Sequence, residues 1–482
     1  DAGNAALQAE VLYILEQLQD EDSAVMRELM LQQLLESDNV EELVAGVQTV
    51  HKTAAIGYYL QLMELLHHAH PAVREAVIHS LADVQDEEVF TELLGLLEDP
   101  DPDVVDAVVG VLGGMAAPEL RTAMVEALPD LSLKAWEGVL TALLEAEDLA
   151  PRLLESCRQR LVEANRHIVA MAVLEQVEGA PVAELLIDQL GVQNGIVQNG
   201  VVRLLGHLGD VGVVGDLLER LSGDHPAARE NAVELLENIA DRDLLIHLLP
   251  LVEVDAEERQ RAAQQISGWE EAELEPVLIY LLGSTDLWTQ MAAMWTVAAL
   301  DRHELLQHLP GNLAPQIQES LESIESKKGR AQMAAEDLPL TTMEKITFLK
   351  ESPFFAALPL EELYHIALTV QEEGVRAGTT VIKQGTSGDK MYIVVKGELE
   401  VRTFAYEGDE EGQQVAVLPE KQVFGDMALL DDEPRSASVI ALQDARLLSL
   451  QRSSLERLLR RYSTIASSMM KILSRRLRLA QG

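Results

Sequence analysis

Two kinds of apolar spacing divide the chain. Through the first three hundred residues Leu, Val, Ala and Ile recur at steps of three and four. Glu92-Leu93-Leu94-Gly95-Leu96-Leu97 is followed by a polar turn and then by Val104, Val105, Val108, Val109 and Leu112. That spacing puts one apolar stripe on each helix and predicts helical hairpins. From Gly374 the pattern changes to short β-type runs broken by glycine: Val381-Ile382, Lys390–Lys396, Leu399–Val401, Gln414–Leu418, Ser438–Ala441 and Arg446–Leu450. Many short strands at regular spacing predict a closed or rolled β-domain with helices on either side.

The helical part repeats itself. His70-Pro71-Ala72-Val73-Arg74-Glu75-Ala76-Val77 returns as His225-Pro226-Ala227-Ala228-Arg229-Glu230-Asn231-Ala232-Val233, and intermediate copies fit a period of about 31 residues. Asp101-Pro102-Asp103-Val104-Val105 is one of them, and Asn194-Gly195-Ile196-Val197 another; weaker copies begin near Val40, Ser132, Asn165, Asp255 and Asp286. In the Asp101 turn the carboxylate accepts orphan amide hydrogens, while Pro102 supplies the φ that a first helical turn tolerates. One such hairpin cannot bury its own apolar face, so stacked copies form an α solenoid with a continuous core. The period and the turn resemble HEAT repeats of the short bacterial kind also seen in phycobilin-lyase-like proteins. The resemblance runs over roughly residues 10–310, about eight to ten repeats, and implies a scaffold; no lyase signature accompanies it.

After Pro310-Gly311 the repeat is lost. Thr341-Thr342-Met343-Glu344 has the form of a capping box and opens a new helix. The organisation expected is an array over 1–310, a linker over 311–340 and a second domain over 341–482.

Charge sharpens this division. The net charge is −44; residues 331–482 hold 18 basic and 22 acidic side chains against 19 and 59 in residues 1–330, so −40 belongs to the array and −4 to the rest. Such an array repels nucleic-acid phosphate and anionic lipid, which leaves proteins as its expected partners. The single cysteine, Cys157, excludes an intrachain disulfide and a thiolate metal site. No apolar run is long enough for a membrane span. Asp1-Ala2-Gly3-Asn4 lacks an initiator methionine and a signal-peptide pattern, which suggests a piece of a longer protein.

Candidate chemistry in the array is thin. His67-His68-Ala69-His70 has ring nitrogens but no acidic or cysteine ligand at fixed spacing, so a polar turn capped by His70 outweighs a metal site. Trp288 and Trp295, seven apart, read as core packing.

The β-domain holds the richer segment, Phe424-Gly425-Asp426-Met427-Ala428-Leu429-Leu430 followed by Pro434-Arg435-Ser436-Ala437-Ser438-Val439. It reads as a glycine turn entering a one-turn helix, then a loop that presents one arginine. Free amides at a helix start suit an anion, the Arg435 fork can hold two phosphate oxygens, and Asp426 can accept from a sugar hydroxyl. Ahead of it, Thr386-Ser387-Gly388-Asp389 reads as a turn in which Gly388 supplies positive φ and Asp389 caps its own backbone.

This segment resembles the phosphate-binding cassette of cyclic-nucleotide-binding domains, of the catabolite-activator and protein-kinase-A-regulatory-subunit type. Gln384-Gly385, Gly388-Asp389, Met391-Tyr392 and Gly397 fall on the same family's β-roll pattern, and the match covers about 345–482. The resemblance implies a cyclic nucleotide as ligand, cAMP ahead of cGMP, and no other cofactor or metal. It implies a site made of Val381, Phe424, Gly425, Asp426, Met427, Ala428, Leu429, Arg435, Ser436 and Ala437. In it Arg435 and Ser436, with the amides of Gly425, Ala428 and Leu429, hold the phosphate, and Asp426 holds the ribose 2′-hydroxyl. The family usually has Glu at the position of Asp426, so this chain's arm is one methylene shorter.

From Ser453 an apolar face runs through Leu455, Leu458, Leu459, Tyr462, Ile465, Met469, Ile472, Leu473 and Leu477, with a basic face around Arg457, Arg460, Arg461, Lys471 and Arg475. In the family this helix caps the nucleotide and often pairs with its twin, which leaves dimerisation open. No helix-turn-helix follows, and no triad, metal motif or Walker loop marks an enzyme. The expectation is a cytoplasmic, non-enzymatic sensor that couples nucleotide binding to an acidic interaction scaffold. The alternative is a constitutive scaffold whose β-roll has lost its ligand. The tandem order also resembles the C-terminal half of bacterial carrier-like membrane proteins related to nucleotide transporters.

Overall fold

A computed structural model describes residues 11, 21–53, 58–84, 86–99, 101–115, 117–177, 181–209, 214–222, 226–239, 242–329, 339–352, 354–356, 358–404, 412–426, 434–461 and 470. The chain divides into two compact units: Asp1–Val169 with Gln193–Glu271, and Ala170–Val192 with Ala272–Gly482.

In the first unit the helices follow the apolar spacing. Glu87–Leu96 packs on Pro102–Gly114, and Pro102–Gly114 packs in turn on Leu133–Ala142. Val104, Val108 and Leu112 are buried in one continuous core with Leu93, Leu97, Trp136 and Val139. The turns cap as their residues require. Asp101 accepts from the Asp103 amide at 3.1 Å with Pro102 in the first turn, and Ser132 accepts from the Ala135 amide at 3.2 Å. The His70 ring accepts from the Ala72 amide at 3.3 Å, and the His68 ring from the His70 amide at 3.1 Å. These two imidazoles therefore serve the turn.

A polar ladder ties successive hairpins. Arg74, the repeat's arginine, is buried and donates through Nε and Nη2 to Asp99 at 2.8 and 2.7 Å, and through Nη1 to the His68 carbonyl at 2.7 Å. Lys134 Nζ donates to the Asp99 carbonyl at 2.7 Å, which brings in the next hairpin. In the copy that contains Pro226, Arg229 Nε donates to the Leu221 carbonyl at 3.0 Å.

Two predicted turns are absent. Asn165 lies inside the helix Ala150–Leu174, and Asn194 inside Pro181–Leu208. Neither copy carries the proline that stops a preceding helix, and neither asparagine caps a new one, so backbone hydrogen bonding runs on. The asparagines are buried instead. Asn165 Nδ2 donates to the Leu161 and His247 carbonyls at 2.8 and 2.9 Å, and Asn194 Nδ2 to the Ala164 carbonyl at 3.1 Å. Gly200, further along the same helix, makes room for a neighbour: a Cβ there would lie 2.8 Å from Cζ3 of Trp136.

The second unit contains the helices Leu274–Leu282, Leu287–Ala299 and Pro315–Gly329, the last of which falls inside the segment read as a linker. Thr341 and Glu344 form the expected capping box at the start of Thr342–Glu351, and Leu360–Thr369 packs on that helix. Two four-stranded antiparallel sheets follow. One has the order β1 (Gln371–Val375), β8 (Ala445–Gln451), β3 (Lys390–Lys396), β6 (Val423–Phe424). The other has the order β2 (Thr380–Ile382), β7 (Ser438–Ala441), β4 (Leu399–Thr403), β5 (Gln413–Leu418). Between them lie Ile382, Tyr392, Val394, Leu399, Phe424, Val439 and Leu447, which form the roll's core. The chain leaves the roll in the helix Arg452–Arg461, in which Leu455 and Leu458 are buried.

β1 was invisible in the sequence because its first half is polar, Gln371-Glu372-Glu373. Its carboxylates are paired: Glu372 with Arg446, and Glu373 with Lys390 at 2.8 Å and Ser449 Oγ at 2.6 Å. Those bonds hold the Glu373 carboxyl below its usual range against the opposing effect of burial.

Candidate ligand-binding site

The site forms where the loop between β2 and β3 meets the segment after β6. Arg435 is joined to that loop by its backbone: its amide donates to the Thr386 carbonyl at 2.9 Å, and the Gly385 amide donates to the Arg435 carbonyl at 2.8 Å. Its side chain is only 7% exposed. Nη1 donates to the Gly425 carbonyl at 2.7 Å and Nη2 to the Lys390 carbonyl at 2.5 Å. Burial pulls the guanidinium below its ordinary range; Tyr392, Asp389 and Asp426 push it back up, and Arg452 adds to the fall. Of the five N–H donors of a guanidinium, these two are used among the described residues. The remainder can serve an anion.

Two glycines make room for that guanidinium. A Cβ on Gly388 would lie 2.0 Å from Arg435 Nε and 2.2 Å from Cζ, so any side chain there displaces the arginine. Gly388 is not among the positive-φ residues, which corrects the turn reading: the left-handed position belongs to Gly385, at φ 78°. Gly425 serves both needs. Its φ is 77°, and a Cβ would lie 2.8 Å from Arg435 Nη1 and 2.9 Å from Ile382 Cδ1.

The other predicted residues divide. Asp426 is 6% exposed and near enough to Arg435 to act on its charge. Phe424 is turned into the core, stacked on Tyr392 at 5.2 Å, and so supports the site from beneath. Val381 packs half-buried on the same core, Ala437 is half-buried and Ser436 exposed. Met427, Ala428 and Leu429, with their expected amide contacts, lie outside the described residues.

Sequence reading missed three contributors. The Lys390 carbonyl is a main-chain atom without a sequence signal. Gln384, noted only for the family pattern, pairs with the backbone of Phe404: its Oε1 accepts from the Phe404 amide at 2.7 Å and its Nε2 donates to that carbonyl at 3.2 Å. Asp389, expected to cap its own loop, offers its carbonyl to the amide of Arg452 at 2.7 Å, the first residue of the C-terminal helix. The arrangement is a desolvated arginine fork held on the β-roll by two carbonyls, a donor set whose chemistry suits an anion.

Comparison with known proteins agrees with this geometry. Residues 372–462 match the cyclic nucleotide-binding domain family, and residues 60–132 match HEAT repeats. Over 130 residues the chain is 35% identical to the cyclic AMP receptor protein of Thermus thermophilus, covering 27% of this chain and 59% of that protein. Over 112 residues it is 38% identical to the cAMP-dependent protein kinase regulatory subunit of Aspergillus fumigatus, covering 23% and 26%. Over 115 residues it is 31% identical to the cGMP-dependent protein kinase egl-4 of Caenorhabditis briggsae, covering 24% and 15%. The chain thus spans less than two thirds of each relative. It carries HEAT repeats followed by a C-terminal cyclic nucleotide-binding domain of the type these relatives share. Among the described residues, no helix is long and apolar enough to cross a membrane.

Proposed function

We propose that the C-terminal domain binds a cyclic nucleotide, cAMP ahead of cGMP, and that the chain acts as a non-enzymatic regulatory sensor. The observation that carries this is Arg435, desolvated and fixed by two carbonyls between Gly388 and Gly425, inside a segment matched to that domain family. A cyclic phosphate takes the outer N–H groups of the fork, a charge-assisted contact strengthened by the low exposure of the site. Asp426 accepts from the ribose 2′-hydroxyl, and Ser436 with the amides of Gly425, Ala428 and Leu429 completes the phosphate shell. The array, at −40, serves as the docking surface for a protein partner in the cytoplasm.

Isothermal titration of the whole chain with cAMP and cGMP tests this. Binding that weakens about 100-fold or more in Arg435→Ala supports it. No heat from either nucleotide at high micromolar concentration sinks it, and turnover of the nucleotide by pure protein would contradict the non-enzymatic reading. One observation favours a second reading, a roll that has lost its ligand: Asp426 stands where a longer Glu is usual in the family. Partner capture indifferent to nucleotide and to Arg435→Ala would support that reading. A carrier-like membrane parent is a separate proposal that rests on domain order alone, and the hydropathy of the full-length gene tests it.

A further inference from the structure

Resting on the nucleotide-binding reading, we infer that the last helices of the array belong to the sensor itself, with Trp288 receiving the signal from the nucleotide site through the helix Leu360–Thr369. Each link of the route is a contact inside the second unit. The guanidinium of Arg435 lies against Gly388. The next residue, Asp389, accepts through its carbonyl from the Arg452 amide at 2.7 Å, which fixes the start of the helix Arg452–Arg461. That helix packs on both β8 and Leu360–Thr369. On Leu360–Thr369, Tyr364 and His365 meet the indole of Trp288, with ring centroids 5.3 and 6.2 Å away at steep angles. Trp288 opens the helix Leu287–Ala299, whose other tryptophan, Trp295, lines a cavity of about 200 Å³ together with Tyr364, Ser320, Ser323 and Thr342.

That cavity matters because a close-packed joint passes force without choosing between states, whereas a void beside the aromatic cluster gives Tyr364 and Trp295 room for a second packing. The helix Arg452–Arg461 is the two-position element. It has one anchor at the phosphate loop and one at Leu360–Thr369, so a ligand that moves Arg435 and its loop biases both ends. A ligand shifts this equilibrium only as far as it binds one packing more tightly than the other. The indole is a direct reporter, since it sits half-buried at the end of the route.

Hydrogen–deuterium exchange of the whole chain, with and without saturating cAMP, tests the inference alongside calorimetry on the same sample. The expected result is binding heat, with exchange at 287–299 and 360–369 changing about threefold or more on ligand addition. Trp288→Leu should bind within about threefold of wild type and lose the change at 287–299, while Trp288→Phe should keep it. Heat without any change at 287–299 in the wild type overturns the inference and leaves nucleotide binding standing. Absence of heat with both cAMP and cGMP overturns the binding reading, and this inference with it. The wild-type measurement decides even where a substituted protein fails to fold.

Discussion

Arg435, proposed above to hold the phosphate, is positioned entirely by atoms outside that contact. Its fork is aimed by two carbonyls and bounded by two glycines, so removing that space should matter almost as much as removing the charge. Gly388→Ala places a methyl group inside the guanidinium's volume. It should weaken nucleotide binding about tenfold or more while leaving the circular dichroism unchanged, since its φ suits alanine. Asp426→Glu restores the longer arm and should tighten binding by a few fold, provided the 2′-hydroxyl is its partner; a 2′-deoxy nucleotide should then erase the gain. Glu362 carries a different prediction. Burial, with Glu361 beside it, pushes its carboxyl up to about 7. In the unfolded chain the value is about 4.3. Between those pH values the folded state keeps a proton that the unfolded state releases, so this group's contribution falls as pH rises and stays unfavourable above 7. Glu362→Gln should therefore raise the melting midpoint at pH 8 and leave it nearly unchanged at pH 4. An equal shift at both would contradict the assignment.

At the scale of elements, the array depends on its ladder as well as on its apolar stripe. Arg74→Ala strands the Asp99 carboxylate in the buried joint between hairpins, and should cost about 3–5 kcal/mol in denaturant unfolding of the helical array. A loss within 0.5 kcal/mol, as for a solvated pair, would show that Asp99 finds another partner. The same elements show what was legible beforehand. Turns written with proline or a short capping side chain (His70-Pro71, Asp101-Pro102, Ser132, Asp286) appear where the period puts them, because proline and the cap act locally. Asn165 and Asn194 keep the period without the proline, and tertiary contacts to His247 and Ala164 turned would-be caps into buried ties. In the roll, strands rich in Val, Ile and Leu were readable from alternation. β1 was not, since its first residues are held by ion pairs to side chains 17 and 74 places away along the chain. For the candidate site, residue types pointed to Arg435 and Asp426, which the fold buries close together. The Lys390 carbonyl and the space over Gly388 could not be found, because neither is a property of a side chain.

For the whole molecule, the uneven charge is the dominant physical fact. Fifty-nine acidic side chains in residues 1–330 repel one another across a folded array that apolar burial must hold together. Raising sodium chloride from about 20 to about 500 mM shortens the Debye length from roughly 20 to roughly 4 Å and should raise the melting midpoint of the helical transition by several degrees. A fall would mean that its ion pairs outweigh the repulsion. The nearly balanced C-terminal domain should respond far less, so the two transitions, if separate, should converge or cross as salt rises.

The two long helices have a mechanical meaning as well. A solenoid yields at its turns, where backbone hydrogen bonds are fewest. Ala150–Leu174 and Pro181–Leu208 run through the places where two turns were due, each a single rod of about 40 Å. Under force, the short-helix hairpins that precede residue 150 should open before either of these rods. A spring is described by its softest coils; in this chain proline and short capping side chains decide where they are.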